Sequence, residues 1–484
     1  MFPCKVSTIF SLSHAELNAL YQSTQAQLVA IYGRRRVGKT FLVDQVFKEK
    51  ITFRHAGLSP IDLGGNKNAV KKQLKHFYNS LLLCGVKKSK CPSDWLEAFF
   101  MLEKYLESID NGSKQLIFLD ELPWMDTPRS GFLSAFEAFW NTWACHRDNI
   151  MVIVCGSANS WILDNLINNH GGLYNRTTYE IKLSPFTLKE TEEYLIAKGI
   201  QFSRYDIAQA NMILGGIPYY LGYLNKDLSL AQNIDLLFFH PQAKLRDEYE
   251  RLFSSIFSNA DEIKKLVKFL AGSSIGYTRK EVVQQLGLKN GGDVTKTIRA
   301  LDASDFIIKY NPFGAKKREE YLKLQDPFCL FYLRFVEGKD SLSSNFWTNN
   351  ITSQQIISWR GLAFENLCFR HIKQIKSTLG ISGVQTSESV WFQKGTEDNS
   401  GFQIDMLIYR KDNVVNMCEI KFYNDDYEVD NQYMRLLMRR RNSLEGMLPK
   451  RVSIQSTLIT TFGLKYNKYS NSFNNTIVLD DLFS

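Results

Sequence analysis

Eight consecutive residues, Gly33-Arg34-Arg35-Arg36-Val37-Gly38-Lys39-Thr40, satisfy the spacing G-x-x-x-x-G-K-[ST]. The chemistry of that set is phosphate binding. Gly33 and Gly38 permit backbone angles that turn successive N–H groups inward, so the loop becomes a nest of donors ahead of a positive helix N-terminus. Lys39 would reach the β- and γ-phosphates of a nucleoside triphosphate such as ATP, and the Thr40 hydroxyl would hold magnesium. A second segment, Gln115-Leu116-Ile117-Phe118-Leu119-Asp120-Glu121, carries the acids that hydrolysis needs. Asp120 would enter the magnesium shell, directly or through water, and Glu121 would polarise the attacking water; an exposed carboxylate at a strand end is the alternative for Glu121. A third run, 150–154, leads into Cys155-Gly156-Ser157-Ala158-Asn159, where a polar side chain such as Ser157 could sense the γ-phosphate, although Ser and Asn there are also ordinary turn residues.

A separate set of chemical residues lies near the C-terminus. Phe402-Gln403-Ile404-Asp405-Met406-Leu407-Ile408-Tyr409 and Val414-Val415-Asn416-Met417-Cys418-Glu419-Ile420-Lys421 read as a hairpin turned at 410–413. Period-two alternation puts Glu419 and Lys421 on one face, with Asp405 near the start of the neighbouring strand. This is the acid, acid-x-lysine arrangement of PD-(D/E)xK nucleases. Phosphodiester hydrolysis needs hard oxygen ligands for magnesium, here Asp405 and Glu419 with Glu365 assisting, and a cation to stabilise the pentacovalent oxyanion, here Lys421. Glu-x-Lys on a strand is also common as a solvated, salt-paired face.

The elements that must position these groups follow from pattern. Leu28-Val29-Ala30-Ile31-Tyr32 is a short, partly β-branched apolar run, as expected of a buried parallel strand, and Leu42, Val43, Val46 and Phe47 repeat at helical spacing behind the loop. The fold class is therefore α/β: a P-loop parallel sheet of the additional-strand class at 1–186, then a helical lid at 187–257. The glycine pair in Gly215-Gly216-Ile217-Pro218 suits a hinge before a Pro-led helix. From 258 to 325 three helices, one capped by Thr278 and one started by Asp293, precede two strand-like runs at 306–310 and 320–324, the order of a winged helix-turn-helix. Its third helix would present Thr295, Lys296 and Arg299 to a groove, and Lys316-Lys317-Arg318 would meet phosphate. Residues 278–323 hold ten Lys or Arg against six Asp or Glu; a solvated basic face or a protein contact explains the surplus as well as DNA does. Residues 326–350, poor in apolar periodicity towards their end, read as a linker, and 351–484 as an α/β restriction-endonuclease-like domain opened by a helix bearing Glu365. Arg439-Arg440-Arg441 reads either as a track for a phosphate backbone or as a solvated helix end.

The chain resembles the AAA+-related archaeal-type ATPases close to the STAND branch, which carry a C-terminal restriction-nuclease-like domain. The resemblance rests on residues 32–40, on Phe118-Leu119-Asp120-Glu121-Leu122-Pro123-Trp124 with Phe139-Trp140-Asn141, on Cys155-Gly156-Ser157-Ala158 with Gly171-Gly172-Leu173-Tyr174-Asn175-Arg176, and on Leu183-Ser184-Pro185-Phe186. It implies Ser157 as the sensor and Arg176 as an arginine finger or phosphate sensor. Members usually begin with a Gly-Arg-x-x-Glu-Leu box that seats the base; the matching stretch here is Phe10-Ser11-Leu12-Ser13-His14-Ala15-Glu16-Leu17, which leaves base selectivity open.

Composition agrees with an intracellular machine. The chain has 484 residues, 44% hydrophobic and 23% charged, and a formal net charge of +9, enough to favour nucleic acid as a partner. No run approaches the roughly 18 apolar residues that cross a bilayer, so no membrane partner is expected and the cytoplasm is the default location. The eight cysteines show no C-x-x-C pairing and read as reduced thiols; the seven histidines lack zinc-ligand spacing. Self-association into a homo-oligomer is left open. The expected function is an ATP- and Mg2+-dependent switch acting on nucleic acid, with nucleotide state gating the nuclease-like domain. The alternative is an ATP-dependent DNA- or protein-binding regulator whose C-terminal domain is catalytically inactive.

Overall fold

The computed structural model describes residues 11–484 except 60–62, 64–67, 158, 168–175, 257–259, 288–290, 316–318, 340–342 and 394–400. The chain forms two compact units. The first comprises Met1–Pro185, Glu250–Ile263 and Thr295–Asp305. Its centre is a parallel sheet of β1 (Gln27–Tyr32), β2 (Ile51–Ala56), β3 (Gln115–Asp120), β4 (Ile150–Gly156) and β5 (Tyr179–Lys182), in the order β2-β3-β4-β1-β5. β4 thus lies between β1 and β3, the inserted strand of the additional-strand class. β1, β3 and β4 are buried nearly throughout, which explains why they read as unbroken apolar runs rather than alternating ones. The helices Ala69–Leu83, Trp95–Ser108 and Phe132–Ala138 cover the sheet through an aromatic cluster of Phe77, Trp95, Phe99, Phe132, Phe136 and Phe139.

The second unit comprises Phe186–Tyr249, Lys264–Val294 and Phe306–Ser484. It begins with helices Leu188–Ala197 and Arg204–Leu214; the first is held by a capping box between Thr187 and Glu190. Gly215 closes the second helix in the left-handed region, φ 73°, and Pro218 opens the short helix Pro218–Leu221. A small antiparallel sheet follows, formed by β6 (Tyr277–Thr278), β7 (Ile307–Tyr310) and β8 (Tyr321–Leu324) in the order β6-β8-β7, with helix Arg279–Leu286 capped by Thr278 and Glu281.

The C-terminal sheet has the order β13-β12-β11-β10-β9, from β9 (Thr386–Gln393), β10 (Phe402–Arg410), β11 (Val414–Lys421), β12 (Ser453–Thr460) and β13 (Asn475–Val478). β9, β10 and β11 run antiparallel; β12 and β13 join parallel to β11. The β10–β11 turn puts Asn413 at φ 65°, a conformation that Asn tolerates. Phe313 N–H donates to Val390 O at 3.1 Å, so the loop after β7 caps the outer edge of β9.

Residues 326–350, read from the sequence as a linker, carry helices Pro327–Phe335 and Phe346–Asn350 instead. Polar composition misled here because the second helix is started by a distant acid. Buried Asp235 accepts Trp347 N–H at 2.7 Å, Thr348 N–H at 3.0 Å and the Thr348 hydroxyl at 2.5 Å, while Trp347 packs edge-on against Phe331, Phe335 and Trp359.

Candidate functional site: two clusters of charged groups

The phosphate loop follows the last residue of β1. Gly33 sits where an added Cβ would lie 2.1 Å from Leu183 O, and Gly38 occupies the left-handed region at φ 100° ahead of helix Lys39–Phe47. Arg36, between them, also has a positive φ of 73°. No side-chain hydrogen bond caps this helix, whose N-terminus follows directly from the loop. Arg34 and Val37 are buried, Arg35 is half-buried, and Lys39 Nζ donates to Gly33 O at 3.0 Å and Arg34 O at 3.2 Å, folding the loop over its own lysine. Burial lowers the Lys39 pKa, while Glu121, Cys155 and Asp120 work against that fall.

Parallel pairing carries the two acids to the same sheet end. Thr40 Oγ1 donates to Asp120 Oδ2 at 2.7 Å, and burial raises the Asp120 pKa against that hydrogen bond. A hydroxyl facing a poorly solvated carboxylate is a donor set that suits a hard divalent cation. Glu121, at φ 46°, turns its carboxylate to Ser157: the serine N–H donates to Oε2 at 3.1 Å and its hydroxyl lies 2.9 Å from Oε2 and 3.1 Å from Oε1. Of the residues expected here, Lys39, Thr40, Asp120, Glu121 and Ser157 are brought together. Arg176 is exposed in a turn before β5 and makes no hydrogen bond or ion pair among the described residues. Ala158, the Gly171-Gly172-Leu173-Tyr174-Asn175 segment and Phe10 lie outside the described residues.

The second cluster is built on the C-terminal sheet. Met406 pairs with Cys418, so the next residues outward, Asp405 and Glu419, stand opposite one another. Lys421 Nζ lies 3.6 Å from Asp405 Oδ2 and 3.9 Å from Glu419 Oε2, and 5.2 Å above the Tyr433 ring. Asp405 Oδ2 also accepts Ile420 N–H at 2.9 Å. Glu419 is fully buried; burial, then Asp405, raises its pKa, while Arg440 and Lys421 oppose the rise. Its Oε2 accepts the Tyr433 hydroxyl at 2.7 Å and pairs with the Arg440 guanidinium, whereas its Oε1 is buried without a hydrogen-bond partner. An orphaned carboxylate oxygen beside a second acid suits a hard cation. Among the described residues, however, no three His, Cys, Asp or Glu are grouped so as to hold a metal. Glu365, expected as the assisting ligand, has its pKa pushed up to about 8 by burial and then by Asp405.

Two groups at this site escaped sequence reasoning. Arg440, read within a basic run as a backbone track or a solvated end, is instead the ion-pair partner of Glu419, and Arg441 donates to Ile454 O at 3.1 Å and Ser456 Oγ at 3.2 Å. Lys323 of β8 is only 4% exposed; burial lowers its pKa, with Glu365 and Asp405 opposing, and its Nζ lies 5.7 Å from the Phe369 ring, one helical turn beyond Glu365. From the sequence it counts only within the basic surplus of residues 278–323, and the three-dimensional acid cluster beside it accompanies its burial. Elsewhere, Arg299, expected to face a nucleic-acid groove, pairs with Asp164 at 2.7 Å. The Lys316-Lys317-Arg318 run lies outside the described residues.

Among the described residues no helix is long and apolar enough to cross a membrane. The chain is 26% identical over 336 residues to the uncharacterized protein MJECL04 of Methanocaldococcus jannaschii, an alignment that covers 66% of this chain and 66% of that relative. The chain therefore spans about two thirds of that relative's length. Its fold is similar to a Walker-type ATPase of Pyrococcus abyssi, at 17% identity and a TM-score of 0.44, covering 67% of this chain and 95% of that one. It is also similar to the ORC2 protein of Aeropyrum pernix in ADPNP–ADP complexes, at 12% identity and a TM-score of 0.39, covering 69% of this chain and 94% of that one. Residues 14–224 match the family model described as an ATPase domain predominantly from Archaea.

Proposed function

We propose that the chain is an ATP-hydrolysing switch whose nucleotide state controls a metal-dependent nuclease-like domain acting on nucleic acid. The ATPase half is supported by the family match together with one geometric observation: Thr40 on Asp120 and Ser157 on Glu121, both beside Lys39 at one sheet end. In this reading the loop N–H groups and Lys39 bind the phosphates, and Thr40 and Asp120 hold Mg2+, which supplies positive charge to the β- and γ-phosphates. The Ser157 hydroxyl has one proton to donate. When that hydroxyl turns to the γ-phosphate, Glu121 keeps the Ser157 N–H on Oε2 and its Oε1 is released to orient and polarise water.

The nuclease half is supported by the convergence of Asp405, Glu419 and Lys421, with Glu419 Oε1 unpartnered. Asp405 and Glu419 would hold Mg2+, whose charge would stabilise the phosphorane oxyanion, and Lys421 would orient the attacking water. The helices Ala260–Leu270, Arg279–Leu286 and Gly292–Ala303 with β6, β7 and β8 are read as a winged helix-turn-helix. A cytoplasmic location, self-association and the role of Arg176 as a finger stay part of the proposal.

One observation favours a second reading. The Arg440 guanidinium already occupies Glu419 Oε2, as in a fold whose acid pair is structurally neutralised, and the chain would then be an ATP-driven binding platform. Cleavage of supercoiled plasmid, single-stranded DNA and RNA with Mg2+ or Mn2+, with and without ATP, separates the two. Cutting that disappears in Lys421→Ala and responds to ATP supports the switch, whereas no cutting in any nucleotide state supports the platform.

A further inference from the structure

A cavity of about 380 Å³ opens in the second unit, within the range of small-molecule sites. Its lining includes Lys323 from β8, Arg334 from the helix Pro327–Phe335, and Ser358, Trp359, Glu365 and Asn366 from the helix Gln354–Arg370. Three properties define what it can take. It carries two cations of different kind: Lys323, buried and adjacent to Glu365 and Asp405, and Arg334, exposed at the mouth. Glu365 lines it and interacts electrostatically with Asp405, Lys421 and Glu419, so the cavity borders the groups proposed for phosphodiester hydrolysis. Its remaining polar side chains are the hydroxyls of Ser273, Ser274 and Ser358 and the amides of Gln355 and Asn366, and the walls are largely apolar around Trp359, whose indole is fixed edge-on by Phe331, Phe335 and Trp347.

Two cations flanking a partly apolar, hydrogen-bonding cavity match a phosphate joined to a sugar and a base. Arg favours bidentate recognition of a phosphate, and a buried ammonium supplies a fixed point charge. We propose that this cavity holds one nucleotide of a single strand whose neighbouring phosphodiester lies at Asp405, Glu419 and Lys421, with Lys323 and Arg334 as its phosphate cations. The proposal rests on the nuclease reading for the position of the cut, and makes the helix–sheet module that carries Lys323 part of the substrate site.

The test is binding of a fluorescein-labelled single-stranded dodecanucleotide, followed by anisotropy in chelator so that nothing is cut. The full chain carries Lys39→Ala to remove nucleotide-loop binding. Arg334→Ala and Ser358→Trp, both at exposed positions, remove a cation and fill the mouth without touching the acids. Each is expected to weaken binding about tenfold or more, Arg334→Ala by removing a charge-assisted hydrogen bond and Ser358→Trp by filling the mouth, and Arg334→Ala is expected to lower the salt slope by about one. Unchanged affinity and slope in both variants, no binding by the parent, or equal affinity for free dAMP would overturn the proposal. Mn2+-dependent cutting is scored separately in chains with intact Lys39: cutting without any effect of the two variants on binding sinks the cavity alone, and cavity-dependent binding without cutting sinks the nuclease reading alone.

Discussion

Ser157 and Glu121 are locked together: the serine N–H donates to Glu121 Oε2 at 3.1 Å, and its hydroxyl lies within 3.1 Å of both carboxylate oxygens. Ser157→Ala keeps the backbone donor and removes the hydroxyl that the proposed mechanism turns to the γ-phosphate. Steady-state ATP hydrolysis is expected to fall about tenfold, with ATP affinity nearly unchanged. Glu121→Gln should fall further, by about 10² to 10⁴. An unchanged rate in Ser157→Ala would remove this residue from the mechanism.

Lys39 spends its protons on Gly33 O and Arg34 O, two carbonyls of its own loop. Phosphate oxygens are better partners for an ammonium held in so dry a place. Parent protein at ATP about a hundredfold above its Kd should gain about 2.7 kcal/mol of stability, read by thermal shift, and Lys39→Ala should gain none. A full gain in the variant would move nucleotide binding elsewhere.

Asp405→Asn preserves an acceptor for Ile420 N–H and removes the charge. Added Mn2+ should raise the Tm of the parent and leave that of Asp405→Asn where it was. Equal stabilisation of both proteins would dissociate metal binding from this acid pair.

Glu365 has a folded pKa of about 8 against an ordinary 4.5, because burial and Asp405 disfavour its charged form. The folded chain therefore retains a proton that the unfolded chain releases. This contribution to stability is fully present below about pH 4.5 and is lost as pH rises through about 8. Urea unfolding of Glu365→Gln, across that window, should show a flatter pH dependence than the parent. A variant that follows the parent curve would contradict the assignment.

Asp235→Ala removes the acceptor of three hydrogen bonds at the start of the helix Phe346–Asn350 and strands the buried Trp347 N–H. A loss of about 2–3 kcal/mol in urea unfolding is expected. A neutral substitution would mean that residues 338–350 behave as the tether their composition suggested.

What was legible in the sequence was whatever local pattern decides. The loop from Gly33 to Thr40, the strands that carry it and the acid end of β3 are all short-range signals, as are the turn at Asn413 and the cap at Thr278. What was illegible depends on groups distant in sequence. Lys323 counts only within a basic surplus until Glu365 and Asp405 are placed beside it; Arg440 reads as surface charge until Glu419 is found beneath it; Trp347 reads as linker until Asp235 supplies its cap. In each case a charge pairs with a partner forty or more residues away or, for Arg440, across the turn between a strand and the following helix.

The backbone bond from Phe313 to Val390 bears on how the protein can be taken apart. A fragment starting near residue 351 would keep every residue of the nuclease-like motif and yet lose both the cap on the outer edge of β9 and the ammonium of Lys323. Such a fragment would present an open strand edge to other copies of itself and leave its carboxylates short of a counter-charge, so an inactive or aggregating C-terminal piece would say nothing about the intact chain. Fragments meant to isolate this chemistry should begin upstream of β7.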